Sequence, residues 1–210
     1  MSKNKHIYFL GYSGHAYVAI DVANSSGYYV KGYFDQQENK ENPYDIQYFG
    51  NEANIDLKDF VNDCYVFPAM GSNTIRKRLH TLLKQLNIKQ LVLAHPTAFI
   101  SDTAVIGESS LINPNVSINA LARIGKACII NTGSIIEHEC HIGNYSHIAP
   151  GAVLAGNVKI GENCFVGARA VIKQGVSIAD NVIVGAGSVV LSNIDRKGTW
   201  VGNPAKQLIK

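Results

Sequence analysis

The sequence predicts two fold classes in one chain. Residues 1–94 read as an α/β domain of Rossmann type, and residues 97–192 as an all-β prism of short parallel strands, with a tail at 193–210. Three observations predict it. From Ile100 to Val190 every sixth residue is aliphatic, with no insertion. The residues before that carry no repeat, but short apolar runs alternate with helical patterns. Of 210 residues, 46% are apolar and 17% charged, which suits buried cores and not disorder.

The first domain is read in chain order. His6–Leu10, Val30–Phe34, Cys64–Phe67 and Leu91–Ala94 are short apolar runs expected to be buried strands. Residues 15–25 form a helix led by Ala16, Ala19, Ile20 and Ala23. A second helix places Ile75, Leu79, Leu82, Leu83 and Leu86 on one face, with Arg76, Lys77, Arg78 and Lys84 opposite. His95-Pro96 is the joint, since proline cannot continue a central strand.

Three features fall at strand ends: Gly11-Tyr12-Ser13-Gly14-His15, Asp35, and Gly71-Ser72-Asn73. In an open parallel sheet these ends line the ligand crevice. Glycines there let backbone N–H groups approach a phosphate at a helix N-terminus. Asp35 follows Gly14 by 21 residues, the reach of an acid toward a ribose or base. Gly11-x-x-Gly14 alone is also an ordinary tight turn; with Asp35 and Gly71 it points to a nucleotide-bearing ligand. NAD is disfavoured, because the third glycine is missing and His15 stands near the pyrophosphate position.

In the second domain, positions two before each aliphatic residue are small, from Ala98 and Ala104 to Val182 and Ser188. Residues two apart share a strand face, so each hexad sends one large and one small side chain inward. Gly107, Gly125, Gly143, Gly161, Gly167 and Gly185 follow the aliphatic residue directly, where the expected need is a tight turn. A period of six describes triangular coils of three hexads around an aliphatic stack. Burying each isoleucine is worth roughly 2 kcal/mol before entropy. Cys128, Cys140 and Cys164 take the small position and, with Cys64, form no CxxC or zinc spacing, so packing explains them best.

A formal charge of +3 is too mild for a nucleic-acid surface, and no apolar run approaches the roughly 20 residues that span a bilayer. The polar start, Met1 to His6, lacks a long apolar signal region. A cytoplasmic protein is expected.

The prism's histidines are His138, His141 and His147. His138 lies off the inward registers and Glu139 follows it, the pairing that suits a general base. The alternative is a solvated surface histidine. A zinc site is disfavoured, since His138 and His147 are nine residues apart and three ligands must converge.

The segment Ile136-Glu137-His138-Glu139-Cys140, with Asn131 upstream and Tyr145-Ser146-His147 downstream, resembles the bacterial sugar acetyltransferases of the NeuD/PglD type. The likeness is greatest to the UDP-N-acetylbacillosamine N-acetyltransferases. Gly11–His15, Asp35, Gly71-Ser72-Asn73 with the following Ile75-Arg76, Ala155–Gly161 and Val201–Lys206 fit the same family. The resemblance implies a left-handed parallel β-helix of hexapeptide repeats behind a Rossmann-like nucleotide-sugar domain. It implies a homotrimer with sites between prisms, acetyl-CoA as cosubstrate, and no metal. His138 matches the general base and Glu139 the acid behind it; Ser13, Gly14, His15, Asp35 and Gly71 match the nucleotide-sugar contacts. His147, Ala168 and Ala186 match the acetyl-CoA contacts, the two alanines through backbone only. Gln36 stands where a second acid is common, and Pro68 is unusual before the Gly71 turn.

The activity so implied is N-acetylation of a UDP-linked 4-amino-4,6-dideoxy sugar in bacterial glycan synthesis. The alternatives are O-acetylation of sialic acid or another sugar hydroxyl, N-acetylation of a GDP- or dTDP-linked amino sugar, and a non-catalytic sugar-binding trimer.

Overall fold

The computed structural model describes residues 5–209; Met1–Asn4, part of the polar start, lie outside the described residues. Strand β1 (His6–Leu10) is the centre of a three-stranded parallel sheet between β2 (Tyr29–Phe34) and β3 (Tyr65–Pro68). The strand period of two sorts its side chains: Ile7 and Phe9 pack with α1 (Gly14–Ser25), Tyr8 and Leu10 with the other face. That second face is covered by α3 (Asn73–Gln85) through Leu79 and Leu83, and by a short helix α2 (Leu57–Val61). Pro68 ends an edge strand, where a missing N–H costs no ladder bond.

Leu93–Ala94 does not join this sheet. It pairs with Leu111–Ile112 and is the first rung of the prism: Ala94 turns inward onto the aliphatic stack, while Leu93 on the opposite face packs into the α/β core beside α1. From there the chain winds around three parallel sheets. The first carries Leu111–Ile112, Ile129–Ile130, His147–Ile148 and Phe165–Val166; the second Phe99–Ile100, Ser117–Ile118, Ile135–Ile136 and their successors; the third Val105–Ile106, Arg123–Ile124, His141–Ile142 and theirs. Partners lie three hexads apart, as in Ile129↔His147 and His147↔Phe165. Every aliphatic residue of the series from Ile112 to Val190 is buried. Gly198–Val201 pairs with Val182–Val184 and Lys206–Gln207 folds back on it, so residues of the tail close the end of the first sheet.

The buried thiols serve this stack. Cys128 Sγ donates to Gly143 O at 3.2 Å and Cys164 Sγ to Ala179 O at 3.1 Å, and burial pushes both thiols up to about 11.

The corners correct one expectation. The glycines directly after the aliphatic residue are not the left-handed ones. A Cβ at Gly143 would lie 2.5 Å from Gly161 C, and one at Gly167 2.5 Å from Ala186 N. They are glycine because the next coil's backbone passes too close for a side chain. The positive φ falls two residues later, at Asn115, Ala127, Gly133, Glu139, Tyr145, Asn157 and their counterparts.

Among the described residues no helix is long and apolar enough to cross a membrane.

Candidate active site

His138 and Glu139 occupy the corner between the second and third sheets, where φ of Glu139 is 61°. The turn is pinned by Glu139 N–H donating to Ala120 O at 2.9 Å and by Asn157 N–H donating to His138 O at 2.8 Å. His138 Nδ1 lies 3.1 Å from Glu139 Oε2, and both side chains are about half exposed. A carboxylate only accepts, so Nδ1 carries the proton and Nε2 keeps its lone pair. The ring lies over Gly156, one coil on, where a Cβ would be 2.6 Å from Nε2.

A second group of side chains meets where the α/β domain rests on the first sheet. His15, from the first turn of α1, has its ring centroid 6.4 Å from that of His147. Asn131 orients His147. Its Oδ1 accepts from Asn113 Nδ2 at 2.7 Å and from Thr132 N–H at 2.8 Å, so its Nδ2 donates to His147 Nε2 at 3.1 Å. The imidazole proton therefore sits on Nδ1, which is buried and has no partner; His15 Nε2 is likewise buried and unpartnered. Burial first, and the Arg76 guanidinium second, hold His15 down to about 4 and His147 down to about 3. Both rings are neutral near pH 7.

Arg76 itself corrects the sequence reading of α3. Arg76 and His80 face the prism and are buried, while Ile75 is 37% exposed. The helix is covered on two sides, and the guanidinium is admitted to the inner one because backbone carbonyls accept its protons.

At the strand ends, Gly11 has φ 97° and a Cβ there would strike Met70, so this glycine is needed by the turn. Gly14 differs: a Cβ there would meet nothing within 4 Å. Ser13 sits at the N-cap of α1 without a side-chain capping bond, whereas Ser72 caps α3 through Ile75 N–H. The Ser13 side chain thus leaves the first-turn N–H groups of α1 uncapped, and the space beside the Gly14 Cα is open. Gly71 packs on His15, a Cβ there lying 3.7 Å from His15 Cβ. Asp35 accepts from Tyr12 N–H at 2.9 Å and from Gln36 N–H at 2.7 Å, tying the Gly11 turn to the end of β2. It lines two crevices, of about 510 Å³ toward Gln37–Glu41 and about 440 Å³ toward Glu52, Met70 and Arg78.

Comparison with known proteins agrees with this layout. Residues 6–83 match the PglD N-terminal domain, 121–156 the bacterial transferase hexapeptide (six repeats), and 157–192 the hexapeptide repeat of succinyl-transferase. PerB from Caulobacter crescentus, solved with CoA and GDP-perosamine, is 30% identical over 97% of this chain and 97% of its own, with a TM-score of 0.90. The chain belongs to the PglD-type family of sugar N-acyltransferases. The acetyltransferase domain of PglB from Neisseria gonorrhoeae, solved with acetyl coenzyme A, is 29% identical over 98% of this chain and 100% of its own, at a TM-score of 0.89. WeeI from Acinetobacter baumannii is 27% identical over 96% of this chain and 99% of its own, at 0.84.

Within this PglD-type chain the expected residues fall into three places. His138 and Glu139 pair at one corner. Ser13, Gly14, His15, Asp35 and Gly71 gather at the carboxyl ends of the α/β strands, with His147 adjoining through His15. Ala168 and Ala186 stack at another corner, after the first-sheet strands that follow His147, with Ala168 O accepting from Gly187 N–H at 2.8 Å. His141 is exposed on the third sheet, and among the described residues no three His, Cys, Asp or Glu side chains converge as a metal ion requires.

Proposed function

We propose that the protein transfers the acetyl group of acetyl-CoA to the amino group of a nucleotide-linked 4-amino-4,6-dideoxy sugar, the nucleotide being UDP as in a bacillosamine-type substrate. The observation that carries this reading is the His138–Glu139 pair, whose proton on Nδ1 leaves the Nε2 lone pair free as a general base. The sugar nitrogen attacks the thioester carbon and gives a proton to Nε2. The C–N bond forms, the C–S bond breaks, and the departing thiolate takes that proton to become CoA thiol.

His147 fits the other half of the chemistry. Its orphaned Nδ1–H is a donor for the thioester oxygen as negative charge develops there. The uncapped N-terminus of α1 and the space beside Gly14 suit the diphosphate, with Asp35 and Gln36 at the ribose and base. The nucleotide-sugar domain on this reading ends before Leu93, which the prism claims.

His138 stands at the corner between the second and third sheets and His147 on the face of the first, so a complete site takes His138 from one chain and His147 from a neighbour in a homotrimer. The second sheet, which ends at the His138 corner, presents Phe99 at 60% and Val171 at 38% exposure, an apolar face suited to a second prism. We place the enzyme in the cytoplasm, in bacterial glycan synthesis.

The GDP-perosamine complex of the Caulobacter relative favours a second reading, the same N-acetylation on a GDP-linked sugar. Thiol release from acetyl-CoA decides between them, measured with UDP-, GDP- and dTDP-linked 4-amino sugars and with free sialic acid. Fastest turnover of the UDP-4-amino sugar is expected. Preference for the GDP sugar establishes the second reading, and release with sialic acid alone overturns N-acylation.

A further inference from the structure

We propose that Arg76 is a positioning residue for acyl transfer: it locks the turn carrying Gly71 to the prism corner leading into His147, and so holds the two half-sites in register. The proposal rests on the acetyltransferase reading above.

A guanidinium has five N–H donors in a fixed plane. Arg76 is 1% exposed and spends all five inside the molecule. Nη1 donates to Met70 O at 3.0 Å and Gly71 O at 3.1 Å, both in the turn after β3. Nε donates to Ala127 O at 2.7 Å and Nη2 to Tyr145 O at 2.8 Å, at equivalent corners of successive coils. The fifth bond runs from Nη2 to Asn73 Oδ1 at 2.8 Å, and Asn73 Nδ2 in turn donates to Cys164 O at 3.0 Å, one coil further. One planar group thus joins the α/β turn to two coils of the prism, and Asn73 extends the link to a third.

The two ends of this clamp are the two ends of the proposed reaction. Gly71 packs on His15 at the nucleotide-sugar end. Tyr145 stands two residues before His147 at the acyl end, at a left-handed corner with φ 63°. No carboxylate is among the five acceptors, so the cation is held in a dry interface without a counter-charge. Salt-bridge stability does not explain such an arrangement, since an unneutralised buried charge costs free energy. Geometry does: only a fork of five donors reaches carbonyls on both bodies at once, and a lysine with three donors on a flexible stem does not. The clamp touches neither substrate. It acts on the distance between the amine and the thioester, where an error of about 1 Å costs roughly 100-fold.

The test is Arg76→Lys in the full-length protein. Both KM values are expected to stay within about threefold of the parent, because each half-site is intact within its own domain, while kcat per folded protein falls about 100-fold. Asn73→Ala, which removes one bond at each end, is the milder variant and is expected to lose about tenfold in kcat at unchanged KM. An unchanged kcat, or a raised KM for one substrate with kcat intact, overturns the proposal. Hydrogen exchange supplies a readout free of activity. Arg76→Lys should speed exchange together in the 70–73 turn and at the corners near 127 and 145. Acceleration at one side only, or none, also overturns it. If the unaltered protein releases no thiol with any amino sugar, the functional reading falls, and the exchange result still judges the clamp.

Discussion

At its corner His138 is 52% exposed and leans on a carboxylate 3.1 Å away; His147, a few strands on, is 9% exposed and has a guanidinium in its neighbourhood instead. On the proposed reading the same side chain serves opposite duties at the two places. A base must accept a positive charge during the reaction, and His138 has a carboxylate at 3.1 Å and solvent beside it. A donor to a developing oxyanion must stay neutral with its proton fixed, and burial, Arg76 and the Asn113–Asn131 relay all favour that. What separates the two roles is the sign of the neighbouring charge and the access of water, and each can be altered singly.

The largest effect belongs to the corner. His138→Ala is expected to lower kcat about 100- to 10,000-fold with circular dichroism and oligomeric state unchanged. A folded, active His138→Ala protein removes the base from this site. His147→Ala is expected next, at about 100- to 1,000-fold in kcat, the range for loss of one oxyanion donor. Because His147 does not titrate near neutral pH, the shape of the pH–rate profile should survive the substitution. A displaced acid limb would mean that His147, not His138, carries the proton, and would reverse the comparison.

The corner pair was legible in the sequence because it is local: the hexad register places residue 138 outside the stack, and its carboxylate is the next residue. The prism was legible for the same reason, since each coil repeats the demand of the last. The crevice was not. His15 and His147 meet only because α1 rests on the first sheet, and the acceptors that let Arg76 go inside are carbonyls at Ala127 and Tyr145, far along the chain. Hydropathy reads a lone arginine on an amphipathic helix as the outer face. Yet Arg76, Leu79, His80 and Leu83 follow the three-and-four spacing of one helical stripe. The corner glycines failed differently. Composition shows that a side chain is excluded, but close passage of the next coil and a left-handed φ exclude it equally well, and only coordinates separate Gly143 from Gly133.

The third prediction tests the crevice without any substrate. His15 and His147 ordinarily titrate near 6.5 and are held down to about 4 and about 3 in the folded protein. Below pH 6.5 the unfolded chain binds protons at these rings and the folded chain does not, so stability is full above about pH 6.5 and falls as the solution is acidified toward 4. The slope is about 1.4 kcal/mol per pH unit for each group. Urea midpoints between pH 7 and 5 should therefore fall, and His147→Gln should flatten that dependence by about one group's share. An equal slope in the variant would mean that His147 is open to water and protonates in the folded state.

Glu139→Gln is expected to have the smallest effect and says most about where the corner stands in the assembly. The amide oxygen still accepts from His138 Nδ1–H, so the tautomer is kept and Nε2 still presents its lone pair. The backbone demand is also unchanged, since neither side chain relieves the left-handed φ of 61°. Only the negative charge is lost. With the pair about half exposed, as in the single chain, that charge is screened and worth no more than about 1 kcal/mol, or roughly fivefold in kcat. The loss should shrink further in high salt. A loss near 100-fold that ignores salt would instead require a dry corner, and the only body in the proposed assembly that can dry it is the neighbouring prism. The size of this one substitution therefore separates a base that works at the open edge of its own chain from one enclosed between two.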